Sequence, residues 1–285
     1  MTPSFALILR CPDAKGIVAA VAGFLAQHDA SITESHQFNE MPTSAFYMRV
    51  VFKPDGARFP GLESMRQGFA AIAKQFDMDW QLHDLGARPR LVIAVSKHGH
   101  CLYDLMHRWK AGQLPGEVVT VVSNHEDFRS FVEWNGLPFH HLPVNPGNKA
   151  TQEAKLLGLI KETRADLLVL ARYMQILSTS TCAALAGHCI NIHHSFLPGF
   201  KGAKPYLQAH ERGVKIIGAT AHYVTEDLDE GPIIEQAVER VTHAHSPEAL
   251  EQIGRDIECA VMARAVTWHL QHRVLVNDRR TVVFT

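Results

Sequence analysis

Six short runs of β-forming residues, separated by segments of helical character, restrict the fold of this chain more than any other feature. The runs are LVIAVS, EVVTVVSN, LPFHHLP, DLLVLA, CINIHH and VKIIGATAHYV, all after residue 90. Several are apolar nearly throughout, which suits strands that are covered on both faces. Between two of them, residues 150–162 have a helical pattern. The alternation predicts an α/β fold with a Rossmann-like, mainly parallel sheet and helices on both faces.

The first 86 residues follow a different plan. Strand patterns and two amphipathic helical patterns alternate there in the order βαββαβ, which is the ferredoxin-like plan with an antiparallel sheet and both helices on one face. The polar segment GARPR at 86–90 separates this plan from the following runs. We therefore predict two domains, 1–86 and 87–285.

Charge and cysteine content argue against several classes of protein. Lys and Arg (28) nearly balance Asp and Glu (29), so no global field draws the chain to nucleic acid or to an anionic membrane. The 5 cysteines are widely spaced without a CxxC pair, which favours reduced thiols in the cytoplasm. The N-terminus has no basic leader, and no segment reaches the length of a bilayer span. We expect a soluble, unexported protein.

Polar side chains close the fifth run, in the segment NIHHSFLPGF. Asn191 and His193 are two residues apart on a predicted strand and project to the same face. Open α/β sheets bind ligands outside the carboxyl ends of their strands. An amide beside an imidazole could stabilise an oxyanion, and the imidazole could also move a proton. The alternative, in which these side chains only pair with loop backbone, stays open at this point.

An acidic segment follows the sixth run, in GATAHYVTEDLDEGPIIEQ. Its four carboxylates are Glu226, Asp227, Asp229 and Glu230. A solvated surface turn accounts for most such clusters. Asp229 differs because it directly precedes EGP, where the chain must turn sharply near a strand end. A carboxylate held there could orient a histidine or a water molecule.

Other chemistries find little support in the sequence. Histidines cluster at 98–100, 140–141 and 243–245, but there is no HExxH motif and no carboxylate at a familiar metal-ligand spacing. The loop after LVIAVS reads KHGHCLYDL, so it has neither GxGxxG nor a Walker lysine motif. Ser195 lacks the GxSxG context of a nucleophile. We expect no metal and no cofactor.

Two segments resemble known families. NIHHSFLPGF followed by AHYVTEDLDEGPIIEQ resembles the active-site pattern of the folate-dependent formyltransferase family, an Asn-x-His strand end and an Asp before Gly-Pro. RCPDAKGIVAAVAGFLAQ resembles an ACT domain, a ferredoxin-like module that often binds amino acids. An ACT module followed by a formyltransferase-like domain is the layout of the deformylases in that family. The resemblance thus implies hydrolysis of 10-formyltetrahydrofolate to formate and tetrahydrofolate.

The resemblance also implies roles for particular residues. The catalytic set would be Asn191, His193 and Asp229, with His222 near the site. The folate substrate's pterin ring would contact the segment after the fourth run, at Met174, Gln175, Ile176 and Leu177. Relatives often carry proline or another residue at the position of His194, so no catalytic role is implied there.

For the first domain, the resemblance implies regulation and assembly. An amino-acid effector such as glycine or methionine would bind around Asp13, Gly16 and Ile17. Ser31-Ile32 departs from many sensing relatives, which have Asn followed by an apolar residue. ACT modules also associate through their sheets, so a homo-oligomer, a dimer or tetramer, is expected.

Two other functions stay open. Glycinamide ribonucleotide formyltransferase holds the phosphate of its acceptor on a glycine-rich loop, and KHGHCLYDL stands there instead, which favours water as the formyl acceptor. A formyltransferase with a small amine acceptor is the nearest alternative. A non-catalytic regulator that binds folate or an amino acid is the other, although it would have no need for all of Asn191, His193 and Asp229.

Overall fold

The chain divides into two compact units in the computed structural model, which describes residues 3–199 and 205–285. The first unit comprises Met1–Arg88, Gln271–Leu275 and Val282–Thr285, and the second comprises Pro89–Leu270 and Val276–Thr281. The predicted division at 86/87 assigned all later residues to the second domain, whereas two C-terminal segments belong to the first unit. The last segments belong to the first unit because Leu275 and Phe284 are buried against Ala45 and Tyr47.

The first unit contains a four-stranded antiparallel sheet in the order β2-β3-β1-β4. Its elements are β1 (Phe5–Pro12), α1 (Ile17–Gln27), β2 (Ala30–Glu40), β3 (Ala45–Pro54), α2 (Leu62–Gln75) and β4 (Asp79–Asp84). The predicted element order is confirmed. Alternate residues of β1 and β3, such as Leu7 and Val50, form one core with Val21 of α1 and Phe69 of α2. Both helices therefore cover the same face of the sheet.

The second unit contains a seven-stranded sheet in the order β11-β10-β9-β8-β5-β6-β7. Strands β5 to β9 run parallel, and β10 is antiparallel to both of its neighbours. The elements are β5 (Arg90–Val95), α3 (His100–Lys110), β6 (Glu117–Ser123), α4 (Arg129–Trp134), β7 (Phe139–His141), α5 (Lys149–Glu162), β8 (Leu167–Leu170), α6 (Thr179–Ala184), β9 (Cys189–His193), α7 (Pro205–Glu211), β10 (Ile216–Tyr223), β11 (Ile233–Arg240) and α8 (Pro247–Leu270). The predicted mainly parallel α/β sheet is confirmed.

Burial of the central strand shows that both faces of this sheet are covered. Val92 and Ala94 of β5 share a core with Leu156 of α5. The alternating residues Leu91 and Ile93 are buried as well, although they point to the opposite face. Strands that are buried on both faces of a sheet are apolar at nearly every position, which explains the continuous apolar runs in the sequence.

The last two strands, β12 (Val274–Asn277) and β13 (Arg280–Val283), form a two-stranded ribbon. Among the described helices, none combines the length and the apolar character that a bilayer span requires.

Candidate active site

The pairing of β9 with β10 brings three polar side chains together at the end of β9. In this antiparallel pair, Asn191 lies opposite His222 and His193 lies opposite Thr220. Ile190 and Ile192 alternate with the polar residues and are buried in the core, so the alternation directs Asn191 and His193 to the other face. A bulge at 221/222 interrupts the pairing of β10 with β11.

A tight turn between β10 and β11 delivers Asp229 to this cluster. Asp229 has a φ of 58°, in the left-handed region, which Asp tolerates better than most residues. Gly231 makes the close approach possible, since a Cβ at that position would lie 1.8 Å from the carbonyl oxygen of Tyr223. The glycine of the EGP segment is therefore required for the close packing of this turn against β10, and that packing holds the Asp229 carboxylate beside the histidines.

His193 and Asp229 form a hydrogen-bonded pair. Nδ1 of His193 donates to Oδ2 of Asp229 over 3.1 Å, and the imidazole is 4% exposed. Nε2 of His193 is buried and makes no hydrogen bond with any residue that the structure describes. A carboxylate on Nδ1 fixes the tautomer of an imidazole and orients its Nε2.

His222 fixes the orientation of the Asn191 amide. Its Nδ1 donates to the carbonyl oxygen of Tyr223 over 2.9 Å, so the proton is on that nitrogen and Nε2 is an acceptor. Nδ2 of Asn191 lies 3.2 Å from this Nε2 and donates to it. The amide is therefore held with its NH2 group on the histidine side of the site.

The charge of Asp229 follows from these neighbours. Burial raises the pKa of its carboxyl group, but the hydrogen bond from His193 outweighs burial and leaves the pKa well below its ordinary value. His222 Nε2 lies 3.7 Å from Oδ1 of Asp229, which is too far for a good hydrogen bond. The carboxylate is thus ionised throughout the neutral pH range.

These side chains line a cavity of about 310 Å³. All the residues predicted to contact the substrate, Met174, Gln175, Ile176, Leu177 and His222, line it together with Asn191, His193 and Asp229. Met174, Ile176 and Leu228 are each more than half exposed although they are large and apolar. Exposed apolar side chains around a few converging polar groups are typical of a small-molecule site.

Hydrogen bonds at both ends hold the loop that carries Met174 and Leu177. At its start, the backbone N–H of Met174 donates to Oγ of Ser96 over 2.9 Å. At its end, Ser178 caps α6 and donates its backbone N–H to Glu153 over 3.0 Å. The loop that forms the apolar wall is therefore tied at one end to Ser96 and at the other to Glu153 of α5.

Several cavity residues escape prediction from the sequence. Arg172 and Tyr173 precede the predicted pocket segment, and Thr225 to Leu228 follow β10. His194 also lines the cavity, and its ring stacks on that of His193 at 4.9 Å. The arginine in LARYM, at the end of an otherwise apolar strand, was the available signal for Arg172.

One group in the described ranges has metal-ligand chemistry, since ligand atoms of His100, Cys101 and Glu258 lie within 4.8 Å of one another. Arg172 Nε lies 3.3 Å from Glu258, so a guanidinium would compete with any cation. A hydrogen bond with Cys259, together with burial, raises the pKa of the Cys101 thiol, whereas metals bind the thiolate. These residues fit an ion-pair network better than a cation site.

The predicted effector residues belong to the first unit. The Asp13 backbone N–H donates to the carbonyl oxygen of Ser44 over 2.7 Å, and the Asp13 side chain is exposed. Gly16 has a φ of 99° and precedes α1, whose first residue, Ile17, is 2% exposed. The structure therefore places these three residues together in one turn of the first unit.

The structure thus places an amide, a His–Asp pair and a second imidazole at the strand ends of an α/β sheet, an arrangement suited to acid–base chemistry on a small molecule. The model of the family described as "Formyl transferase" matches residues 89–266, and the chain belongs to this family.

Similarity to relatives extends beyond that region to nearly the whole chain. A formyltetrahydrofolate deformylase of Corynebacterium sp. (strain P-1) is 52% identical over 278 residues, which is 97% of this chain and 96% of the relative. The crystal structure of a formyltetrahydrofolate deformylase from Burkholderia mallei has a TM-score of 0.93 and 52% identity, with 99% of this chain and 100% of the other covered. A glycinamide ribonucleotide transformylase from Symbiobacterium toebii covers 72% of this chain, and 98% of its own length, with a TM-score of 0.66 and 28% identity.

Proposed function

We propose that this protein hydrolyses 10-formyltetrahydrofolate to formate and tetrahydrofolate. The His193–Asp229 pair beside the oriented amide of Asn191, within one cavity that has an apolar wall, is the observation that carries this proposal. The deformylases to which the chain is similar along nearly its whole length support the choice of substrate and of water as acceptor.

The apolar wall suits the pterin ring of the substrate. Met174 and Ile176 expose more than half of their surfaces at the cavity, and an aromatic ring stacked there would cover them. Ligand pockets combine such apolar surfaces with a few polar groups that set orientation. A folate whose pterin ring is held by residues 174–177 could present the formyl group on N10 to Asn191 and His193, which line the same cavity.

Hydrolysis begins when water attacks the formyl carbon and loses a proton. Asp229 is a weak base because its pKa is lowered, so Nε2 of His193 takes the proton. The hydrogen bond from Nδ1 to Asp229 stabilises the imidazolium that forms. The new C–O bond converts the formyl oxygen to an oxyanion.

Asn191 and the protonated His193 then complete the reaction. One N–H of the Asn191 amide is bound to His222, and the other can donate to the oxyanion. The His193 imidazolium returns its proton to N10, the C–N10 bond breaks, and tetrahydrofolate leaves with formic acid, which ionises to formate. One water is consumed, and no metal ion or nucleotide takes part.

An assay without any amine tests this function. Purified full-length protein would be incubated with 10-formyltetrahydrofolate while formate and tetrahydrofolate are followed together. We expect equal amounts of the two products, and a fall of roughly 1,000-fold or more in the Asp229→Asn variant because the amide cannot stabilise an imidazolium as a carboxylate does. Tight folate binding without formate would contradict hydrolysis, and a formylated amine formed only after an amine is added would identify a transferase.

The first unit adds regulation and assembly to this proposal. Its βαββαβ topology supports an ACT-like module in which the turn of Asp13, Gly16 and Ile17 binds an amino acid such as glycine or methionine. Strands β2 and β4 are the sheet edges, which are suitable surfaces for a homo-oligomer. The 5 cysteines are free, which favours a reducing compartment such as the cytoplasm.

A further inference from the structure

A buried ionic network lies beside the proposed reaction centre and takes no part in the proposed chemistry. Glu258 of α8 is 1% exposed, and its carboxylate is within 2.8 Å of both His100 Nε2 and the hydroxyl group of Tyr206, which donates to it. Arg172 Nε lies 3.3 Å away. Burial raises the pKa of Glu258, but these neighbours outweigh it and leave the pKa lowered. The carboxylate therefore stays ionised and anchors the guanidinium.

Arg172 in turn holds His194. Its Nη1 donates to Nδ1 of His194, so the imidazole is neutral with its proton on Nε2. The ring of His194 is thereby fixed in its stack against His193, with 21° between the ring planes. The chain of contacts runs from Glu258 through Arg172 to His194, directly beside the nitrogen that the mechanism uses.

His194 stands between two cavities. It lines the cavity of about 310 Å³ at the reaction centre and also a second cavity of about 120 Å³. Among the described residues it is the one that both cavities share. The second cavity has a largely apolar lining that includes Phe196, Tyr206, Ala209 and Ile217. A smaller side chain at position 194 would join the two spaces.

We propose that Arg172 and His194, anchored by Glu258, form a barrier that restricts the formyl acceptor to water. This inference rests on the proposed hydrolysis and names the residues that select its acceptor. An acceptor larger than water must approach the formyl carbon through space that the folate does not fill, and the ring of His194 closes the space beside His193. Enzymes reject an unwanted acceptor in this way by removing the room for it.

The barrier acts by size and not by charge. The guanidinium of Arg172 is paired with the carboxylate of Glu258, and the acidic side chains of Glu226, Asp227 and Asp229 also line the reaction cavity. Water is small enough to enter the space that the ring of His194 leaves beside His193.

The partition of the formyl group between water and an amine tests the barrier. Hydroxylamine is a suitable probe because it is small and largely neutral near pH 7. Wild-type protein with 10-formyltetrahydrofolate and hydroxylamine should yield formate with at most a trace of N-formylhydroxylamine, whereas His194→Ala should yield N-formylhydroxylamine as a clear second product. We expect the formylated fraction to rise at least roughly 10-fold, comparable to the effect of opening a pocket by a few atoms. The fraction is a ratio, so it does not depend on how much of a variant is folded.

Two further variants sharpen the result. Phe196→Ala enlarges the second cavity without opening the barrier, and it should keep the wild-type partition. Glu258→Gln keeps the shape of the anchor but removes its charge, and it should shift the partition in the same direction as His194→Ala. The barrier is refuted if wild-type protein formylates hydroxylamine as well as His194→Ala does, or if both His194→Ala and Arg172→Ala release formate alone. Wild-type protein that releases no formate without hydroxylamine would instead refute the proposed hydrolysis itself.

Discussion

His193 and His222 have different roles in this site because each imidazole uses its Nδ1 proton for a different partner. His222 keeps its proton on Nδ1 for the carbonyl oxygen of Tyr223, and His193 keeps its own on Nδ1 for Asp229. The two Nε2 atoms are therefore acceptors with different tasks. One orients the amide of Asn191, and the other is the base for water. Two chemically identical rings differ in function because their backbone and carboxylate partners differ.

Loss of the Asn191 amide should slow turnover much more than it weakens substrate binding. Asn191→Ala removes the donor to the oxyanion, which forms only during the reaction, so kcat should fall roughly 100- to 1,000-fold with a small change in KM. Steady-state formate release measures this effect. Asn145→Ala, at an exposed position that does not line the cavity, serves as the matched control. Near-normal turnover of Asn191→Ala would refute the role of the amide.

The strands of the second unit contribute residues to the cavity mainly at their ends and in the loops that follow them. Strands β8 and β9 are buried along their lengths, and the loops that follow them carry Met174 and His194 to the cavity. The antiparallel strand β10 carries His222 in register with Asn191. Parallel strands collect their carboxyl ends at one edge of a sheet, which is why residues distant in sequence meet there.

In the first unit, the turn between β1 and α1 is the element we expect to sense an amino acid. The Asp13 carboxylate can pair with an ammonium group, while the N-terminus of α1 favours a carboxylate. Glycine or methionine should therefore change the rate of formate release by wild-type protein. Asp13→Ala should lose this response and keep the basal rate, with Asp55→Ala as a control of equal charge change. A response that survives Asp13→Ala would contradict this site.

At the scale of the whole molecule, the C-terminal residues return to the first unit. Arg49 of β3 is 1% exposed, and its guanidinium donates to Glu34 over 2.8 Å and to the carbonyl oxygens of Gln271 and His272. A buried guanidinium needs such a complete set of acceptors. Arg49 thus explains why a segment after residue 270 belongs to the unit that the first 88 residues form.

Stability of the whole molecule should fall as the pH drops below neutral, in part because of His269. Burial lowers the pKa of His269 from 6.5 to about 4. As the pH falls, His269 of the unfolded chain takes up a proton near pH 6.5, whereas His269 of the folded chain does so only near pH 4. Between these two pH values the proton stabilises the unfolded chain alone, so the free energy of unfolding decreases as the pH falls. The loss is about 2 kcal/mol at pH 5.

Urea unfolding near pH 7 and near pH 5 measures this effect. His269→Gln should lose less stability between the two pH values than wild-type protein does. His243→Gln, which replaces an exposed histidine, should lose as much as wild-type protein. Equal losses in wild-type protein and His269→Gln would show that His269 does not contribute.

Local patterns account for most of what could be predicted. Apolar alternation predicted β1 to β4 with both helices of the first unit, and continuous apolar runs predicted the parallel strands of the second. The Asn-x-His strand end and the Asp before Gly-Pro directed attention to residues that the fold does bring together. The sequence did not show that residues 271–275 and 282–285 belong to the first unit, because this depends on their burial against a strand that is distant in sequence.

The sequence by itself determined the elements, their order and the chemical types at the strand ends, because hydrophobic periodicity and turn chemistry act over a few neighbouring residues. Only the tertiary structure decided that Nδ1 of His193 pairs with Asp229, and that Glu258 anchors Arg172 against His194. Those features depend on distances between α8, the end of β8 and the end of β9. Long-range packing sets such distances, and no local pattern in the sequence records them.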